Sequence, residues 1–148
     1  MTFKRILVAT DFNESAQRAL ELAVEMCRKF DAELTLVHCW EAPSYPYRRG
    51  FHLPVDTVSS IGEAANKCLD EALTELKERV PKARSLLRAG PAWQEILAAA
   101  TELHADLIVV GTHGRRGLNR MLLGSVAEKV VRMAEAPVLT AHGASEPK

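Results

Sequence analysis

The chain has 148 residues, 47% hydrophobic and 26% charged, with 19 basic side chains balanced by 19 acidic ones. Such a length and composition suit one globular domain, expected over residues 1–143 with a polar tail at 144–148, and exclude a disordered chain. The formal net charge of zero excludes the global basic field that draws proteins to nucleic acid or an acidic membrane, so neither partner is expected.

The cysteines, Cys27, Cys39 and Cys68, form no CxxC pair, and their odd number argues against a disulfide framework. The first apolar run, Ile6 to Ala9, is too short for a signal-peptide core or a membrane span. A cytoplasmic location is expected.

Phe3 to Thr10 reads as a buried strand, followed by Asp11 and by Asn13, a good helix N-cap with Glu14 in the first turn. Ala16, Ala19, Leu20, Ala23, Cys27 and Phe30 then fall on one helix face. Glu33 to Cys39 is a second strand. Glu41 to Ser60 has no period and contains Pro43, Pro46, Pro54, Tyr45, Tyr47, Arg48 and Arg49, which predicts a long surface loop. A helix is expected from Ile61 to Val80, with Ala64, Ala65, Cys68, Leu69, Ala72, Leu73 and Leu76 inward and Pro81 ending it. Arg84 to Arg88 is a third strand, and Gly90-Pro91 leads into a helix that buries Ile96, Leu97, Ala100 and Leu103. Asp106 to Val110 is the fourth strand. A last helix over Val126 to Ala134, with a start as early as Asn119, precedes a terminal strand, Pro137 to Ala141.

Strands alternating with helices predict an α/β fold: a single doubly wound, Rossmann-like domain with a five-stranded parallel sheet and helices on both faces. Such sheets bind ligands beyond the carboxyl ends of their strands, where the strand order reverses. Thr10-Asp11, Cys39-Trp40, Arg88-Ala89 and Gly111-Thr112 sit at those ends.

Between the fourth strand and the last helix lies GTHGRRGLNRMLLGS, Gly111 to Ser125, with glycines at 111, 114, 117 and 124 and arginines at 115, 116 and 120. Glycines let a backbone approach phosphate oxygens closely, and a helix starting near Gly124-Ser125 would offer free N–H groups to an anion. The alternative is a plain strand-to-helix loop with solvated arginines. There is no G-x4-G-K-[ST] and no G-x-G-x-x-G after the first strand, so neither the Walker nor the dinucleotide template applies.

The spacing Gly111-x2-Gly114-x9-Gly124-Ser125, after the fourth strand of this element order, resembles the ATP-binding class of the universal stress protein family. The likeness extends over ILVATDFNESAQRAL, LVH, DLIVVGTHGRRG, LLGSVAEKVV and APVLTA. It implies an adenine nucleotide alpha hydrolase-like fold and a regulatory, stress-response role with ATP as ligand and Mg²⁺ held through its phosphates. It also implies Ala9, Thr10 and Asp11 beside the nucleoside, Cys39 facing adenine through its backbone, and Gly111, Gly114, Gly124 and Ser125 at ribose and phosphate. His113, Arg115 and Val126 join the expected site as neighbours of these positions. The family further implies homodimers through the terminal strand Pro137 to Ala141, and nucleotide can set a conformation that an unidentified regulatory partner reads.

Single residues carry rival readings. Asp11 is either a nucleoside or Mg²⁺ contact or a helix-start acid. His38, within a strand, is expected to be a satisfied core histidine, and Cys39 a lining residue without redox chemistry. Trp93 is expected to pack, and Trp40 to line the pocket or lie under the long loop. Slow ATP hydrolysis is one rival function, with Asp11 and His113 as its candidate groups; a nucleotide-independent dimeric interaction module is another. A response-regulator reading lacks the second acid at strand one and the lysine after the last strand.

Overall fold

The computed structural model describes residues 1–42, 55–113 and 123–143. Gly114, Arg115, Arg116, Gly117, Asn119, Arg120, the Tyr45–Arg49 cluster and the expected tail lie outside them. Among the described residues the chain runs β1 (Arg5–Thr10), α1 (Glu14–Phe30), β2 (Glu33–Trp40), α2 (Val55–Arg79), β3 (Arg84–Ala89), α3 (Ala92–Glu102), β4 (Leu107–Gly111), α4 (Ser125–Met133) and β5 (Val138–Ala141).

The strands form one parallel sheet in the order β3-β2-β1-β4-β5. The expected doubly wound α/β architecture is therefore present, with its order reversing between β1 and β4. Period-two alternation sends side chains to both faces. Ile6, Val8, Leu34, Leu36, Leu107 and Val109 pack with α1 and α2. Leu7, Val37, Ile108 and Val110 pack with α3 and α4. Leu7, Val8 and Leu36 are fully buried, and each such side chain contributes about 1.5–3 kcal/mol of transfer free energy.

Local signals place the elements. The Asn13 side chain accepts from Ala16 N–H to start α1, and Asp31 in the left-handed region (φ 52°) ends it. The Asp106 carboxylate accepts from the N–H groups of Lys4 (2.8 Å) and Arg5 (3.1 Å), holding the entry to β1 beside β4. Arg88, at the end of β3, is gripped by Glu95 at 2.9 Å and by both oxygens of Glu102 at 2.9 and 3.1 Å. That network ties α3 to the sheet.

Three expectations need correction. α2 begins at Val55 rather than Ile61, because Val58 already continues its half-buried face and Ser60 Oγ bonds back to the Asp56 carbonyl at 2.8 Å. Residues 55–60 thus leave the expected loop. Ala64 and Cys68 are exposed, since the inward face runs through Ile61, Ala65, Leu69, Ala72, Leu73, Leu76 and Val80. β1 starts at Arg5, two residues late, because Phe3 turns aside to meet the Phe30 ring edge-on at 5.2 Å.

Candidate functional site

β1 leads to α1 on one face of the sheet and β4 leads to α4 on the other, so a crevice opens between their carboxyl ends. A cavity occupies it. Its floor is apolar and low: Ala9, Val37, Cys39, Ile96 and Val110, with Ala92 at the start of α3. Small side chains at 9 and 92 leave room over an apolar floor. Around the rim stand Thr10, Asp11, Ser15 and Ala16 on one side, and Gly111, Thr112, His113, Gly124, Ser125, Val126 and Ala127 on the other.

The structure therefore brings together Ala9, Thr10, Asp11, Cys39, Gly111, His113, Gly124, Ser125 and Val126 from the expected site. Gly114 and Arg115 lie outside the described residues. The expected site lacked Ser15, Ala16, Val37, Ala92, Ile96, Val110, Thr112 and Ala127. Thr112 had a signal, its place with Gly111 at the end of the fourth strand. Ser15 carried no such signal, because its partner His113 is 98 positions away.

Among the described residues three helix N-termini border the cavity; α3 enters it at Ala92 behind Pro91 with no side-chain capping bond, and those of α1 and α4 differ. At α1, Asn13 Oδ1 accepts from Ala16 N–H at 2.8 Å and its carbonyl accepts from Gln17 N–H at 3.0 Å. Asn13 Nδ2 donates to the His113 carbonyl at 2.7 Å, and Ser15 Oγ donates to the same carbonyl at 2.7 Å. At α4 the N-cap is Gly124 (φ −59°, ψ 156°), with no side-chain capping bond. Gly124 N–H is spent on the Thr112 carbonyl at 2.6 Å, and the first intrahelical bond runs from Glu128 N–H to the Gly124 carbonyl at 2.8 Å. The N–H groups of Ser125, Val126 and Ala127 precede that bond. Among the described residues none of the three has a backbone acceptor, as a helix start requires of its first turn.

Gly111 has a packing reason to be glycine. A Cβ there would lie 2.5 Å from Ser15 Oγ and 2.7 Å from the Ser15 carbonyl carbon, so β4 and α1 touch backbone to backbone. Both Asp11 oxygens accept from Asn13, from N–H at 3.2 Å and from Nδ2 at 3.0 Å. That is the helix-start role of the two readings, although Asp11 also reaches the rim.

His38 is buried, and its Nδ1 lies 2.8 Å from the Thr10 carbonyl; a carbonyl only accepts, so Nδ1 carries the proton. The Phe12 ring, at positive φ (65°), packs on it at 4.6 Å. Thr112 is buried, and its hydroxyl meets His113 Nδ1 at 2.9 Å and His142 Nδ1 at 3.2 Å. One hydroxyl proton serves one ring at a time, so the other ring must donate. Burial, then the nearby Glu95 carboxylate, pushes the Cys39 thiol up to about 11, against the opposing pull of Arg88. Cys39 is thus an unreactive wall, as expected.

Trp40 turns from the cavity to α2, where a Cβ on Gly62 would meet it at 3.0 Å. Trp93 packs between α3 and α4 under Lys129 Nζ, 5.1 Å from its ring centre. Among the described residues no three His, Cys, Asp or Glu side chains gather as metal ligands, and no helix is long and apolar enough to cross a membrane.

An open parallel sheet with its cavity at the strand-order switch defines a doubly wound α/β domain with a ligand crevice. The sequence profile of the universal stress protein family matches residues 2–142. Universal stress protein A homolog 1 of Coxiella burnetii is 34% identical over 94% of this chain and 96% of its own length. Among solved structures, universal stress protein UspA from Lactobacillus plantarum superposes with a TM-score of 0.81 at 25% identity, covering 95% of this chain and 99% of that one. The universal stress protein from Archaeoglobus fulgidus, solved in complex with dAMP, shares the fold at a TM-score of 0.66 and 24% identity, over 95% and 99% of the two chains. The chain belongs to the universal stress protein family.

Proposed function

We propose that this chain is an ATP-binding universal stress protein in which nucleotide occupancy regulates a stress response. The observation that carries the reading is the N-terminus of α4, without a side-chain capping bond among the described residues, at a cavity with an apolar floor. An apolar floor suits adenine, while first-turn N–H groups and the helix dipole suit phosphate. The Archaeoglobus protein supports this ligand class at the level of the fold. Gly114 and Arg115 enter the site on the resemblance, and Mg²⁺ would be held through the phosphates.

Calorimetric titration at micromolar protein is expected to detect ATP; no heat up to millimolar ATP would overturn the reading. Hydrolysis has little support, because the Asp11 carboxylate is engaged by Asn13 and no other carboxylate lines the cavity among the described residues. Steady phosphate release abolished by Asp11→Asn or His113→Ala would restore it.

A homodimer through Pro137–Ala141 belongs to the same proposal. β5 lies at the sheet edge, and Val131 and Met133 on the preceding helix are 46% and 58% exposed. Unpaired strand edges and exposed apolar side chains both favour association. Elution as a monomer at high concentration, with and without ATP, would remove it.

A further inference from the structure

We infer that Asn13 and Ser15 are positioning residues for the phosphate half of the site, an inference that rests on the nucleotide reading above. Neither belongs to the glycine motif. Together they hold the point where the chain leaves β4: the His113 carbonyl accepts from Asn13 Nδ2 at 2.7 Å and from Ser15 Oγ at 2.7 Å. The His113 N–H reaches Ser15 Oγ at 3.3 Å.

A peptide unit is planar, so holding that carbonyl fixes the plane through which the chain enters the glycine stretch. The latch also turns the negative end of a peptide dipole toward α1. Freed, that part-buried carbonyl would turn its negative end toward a cavity proposed to receive an anion.

The amide of Asn13 is suited to this double task. Its oxygen accepts from the Ala16 N–H, a group that only donates, and its nitrogen donates to the His113 carbonyl, a group that only accepts. Aspartate at this position would still cap α1 but would have nothing to donate. Asn13→Asp therefore removes the latch donor and keeps the capping oxygen. It also loses the bond to Asp11 Oδ2 (3.0 Å) and sets two carboxylates side by side there, a cost that Ser15→Ala does not carry. Ser15 is buried, and its hydroxyl lies over Gly111, where a Cβ would fall 2.5 Å from it. Ser15→Ala removes one latch donor, adds no charge and leaves the Asn13 cap in place.

Wild type, Asn13→Asp and Ser15→Ala are titrated with ATP and with adenosine by calorimetry, and their folding is followed by circular dichroism. Adenosine reports the floor of the cavity and ATP adds the phosphate half. Both variants are expected to bind ATP about tenfold more weakly while adenosine affinity stays within about twofold, the scale of one lost bond to a part-buried carbonyl. Equal loss of both ligands would mark a general loosening of the fold and overturn the inference. So would unchanged ATP affinity in Ser15→Ala, because a loss confined to Asn13→Asp would be charge repulsion. Failure of wild type to bind either ligand would instead remove the nucleotide reading and this inference with it.

Discussion

The N-termini of α1 and α4 face the same cavity with the same dipole, yet one is closed and the other open. Asn13 closes α1 with its own side chain and fastens it to the exit of β4. Gly124 has no side chain to cap α4, and among the described residues no other side chain caps it instead. A helix start thus becomes part of the fold or a place for an anion according to what its N-cap residue offers. In a doubly wound sheet one crossover helix often receives phosphate at the first strand. Here the first helix start is occupied by its own Asn13 cap, and the proposed site uses the last.

The comparison predicts that substitutions at the α1 end damage stability first, and those at the α4 end damage binding first. Gly111→Ala should have the largest effect. Its Cβ would fall 2.5–2.9 Å from Ser15 and Ala16, an overpacking that costs about 3 kcal/mol in denaturant titrations. A wild-type denaturation midpoint would show that β4 and α1 can part without cost.

Gly124→Val is expected to lower ATP affinity at least about tenfold, equivalent to about 1.4 kcal/mol, while the chain stays folded. Its backbone angles are open to any residue, so no backbone strain accompanies the change. Tight ATP binding by the folded variant would count against the open terminus. Asn13→Ala removes the cap and should cost about 1 kcal/mol of stability, whereas Ser125→Ala should leave the melting temperature nearly unchanged. Reversal of that order would break the comparison.

The smallest effects lie away from the two termini. At pH 8 iodoacetamide should label exposed Cys68 well before Cys39, whose thiol burial pushes up to about 11; mass spectrometry of the tryptic peptides reads the order. The Arg79 guanidinium, hydrogen-bonded to Glu21 through both nitrogens at 2.8 Å, holds that carboxyl below the usual range. A depressed folded value stabilises above the unfolded carboxylate value, and the gain disappears as pH falls through the folded one. The pair is exposed, so Glu21→Gln should cost less than about 1 kcal/mol at pH 7 and nothing at pH 2.

Strand and helix patterns were legible because the sheet is covered on both faces and its strands are continuous apolar runs. Helix boundaries failed where periodicity is a poor guide. Ala64 and Cys68 are small enough to sit on either face, and Val55 to Ser60 follow a proline-rich run that masks a helix start. At the site, the motif and strand-end arguments reached residues carried by local spacing: Thr10, Asp11, Gly111, Gly124 and Ser125. They did not reach Ser15 or Ala92, whose place depends on how β4 and α3 approach other segments.

Taken alone, the amino-acid sequence determined the alternation of elements, the parallel sheet and the glycine-serine pattern, because each is written within about fifteen neighbouring residues or less. Tertiary structure decided how the start of α1 is fastened to the exit of β4, because that rests on bonds from Asn13 and Ser15 to a carbonyl 100 and 98 positions away. It also changed the meaning of Gly111, from a phosphate contact alone to the point where two backbones touch. Long-range approach distances follow from packing the whole sheet, and no local pattern encodes them.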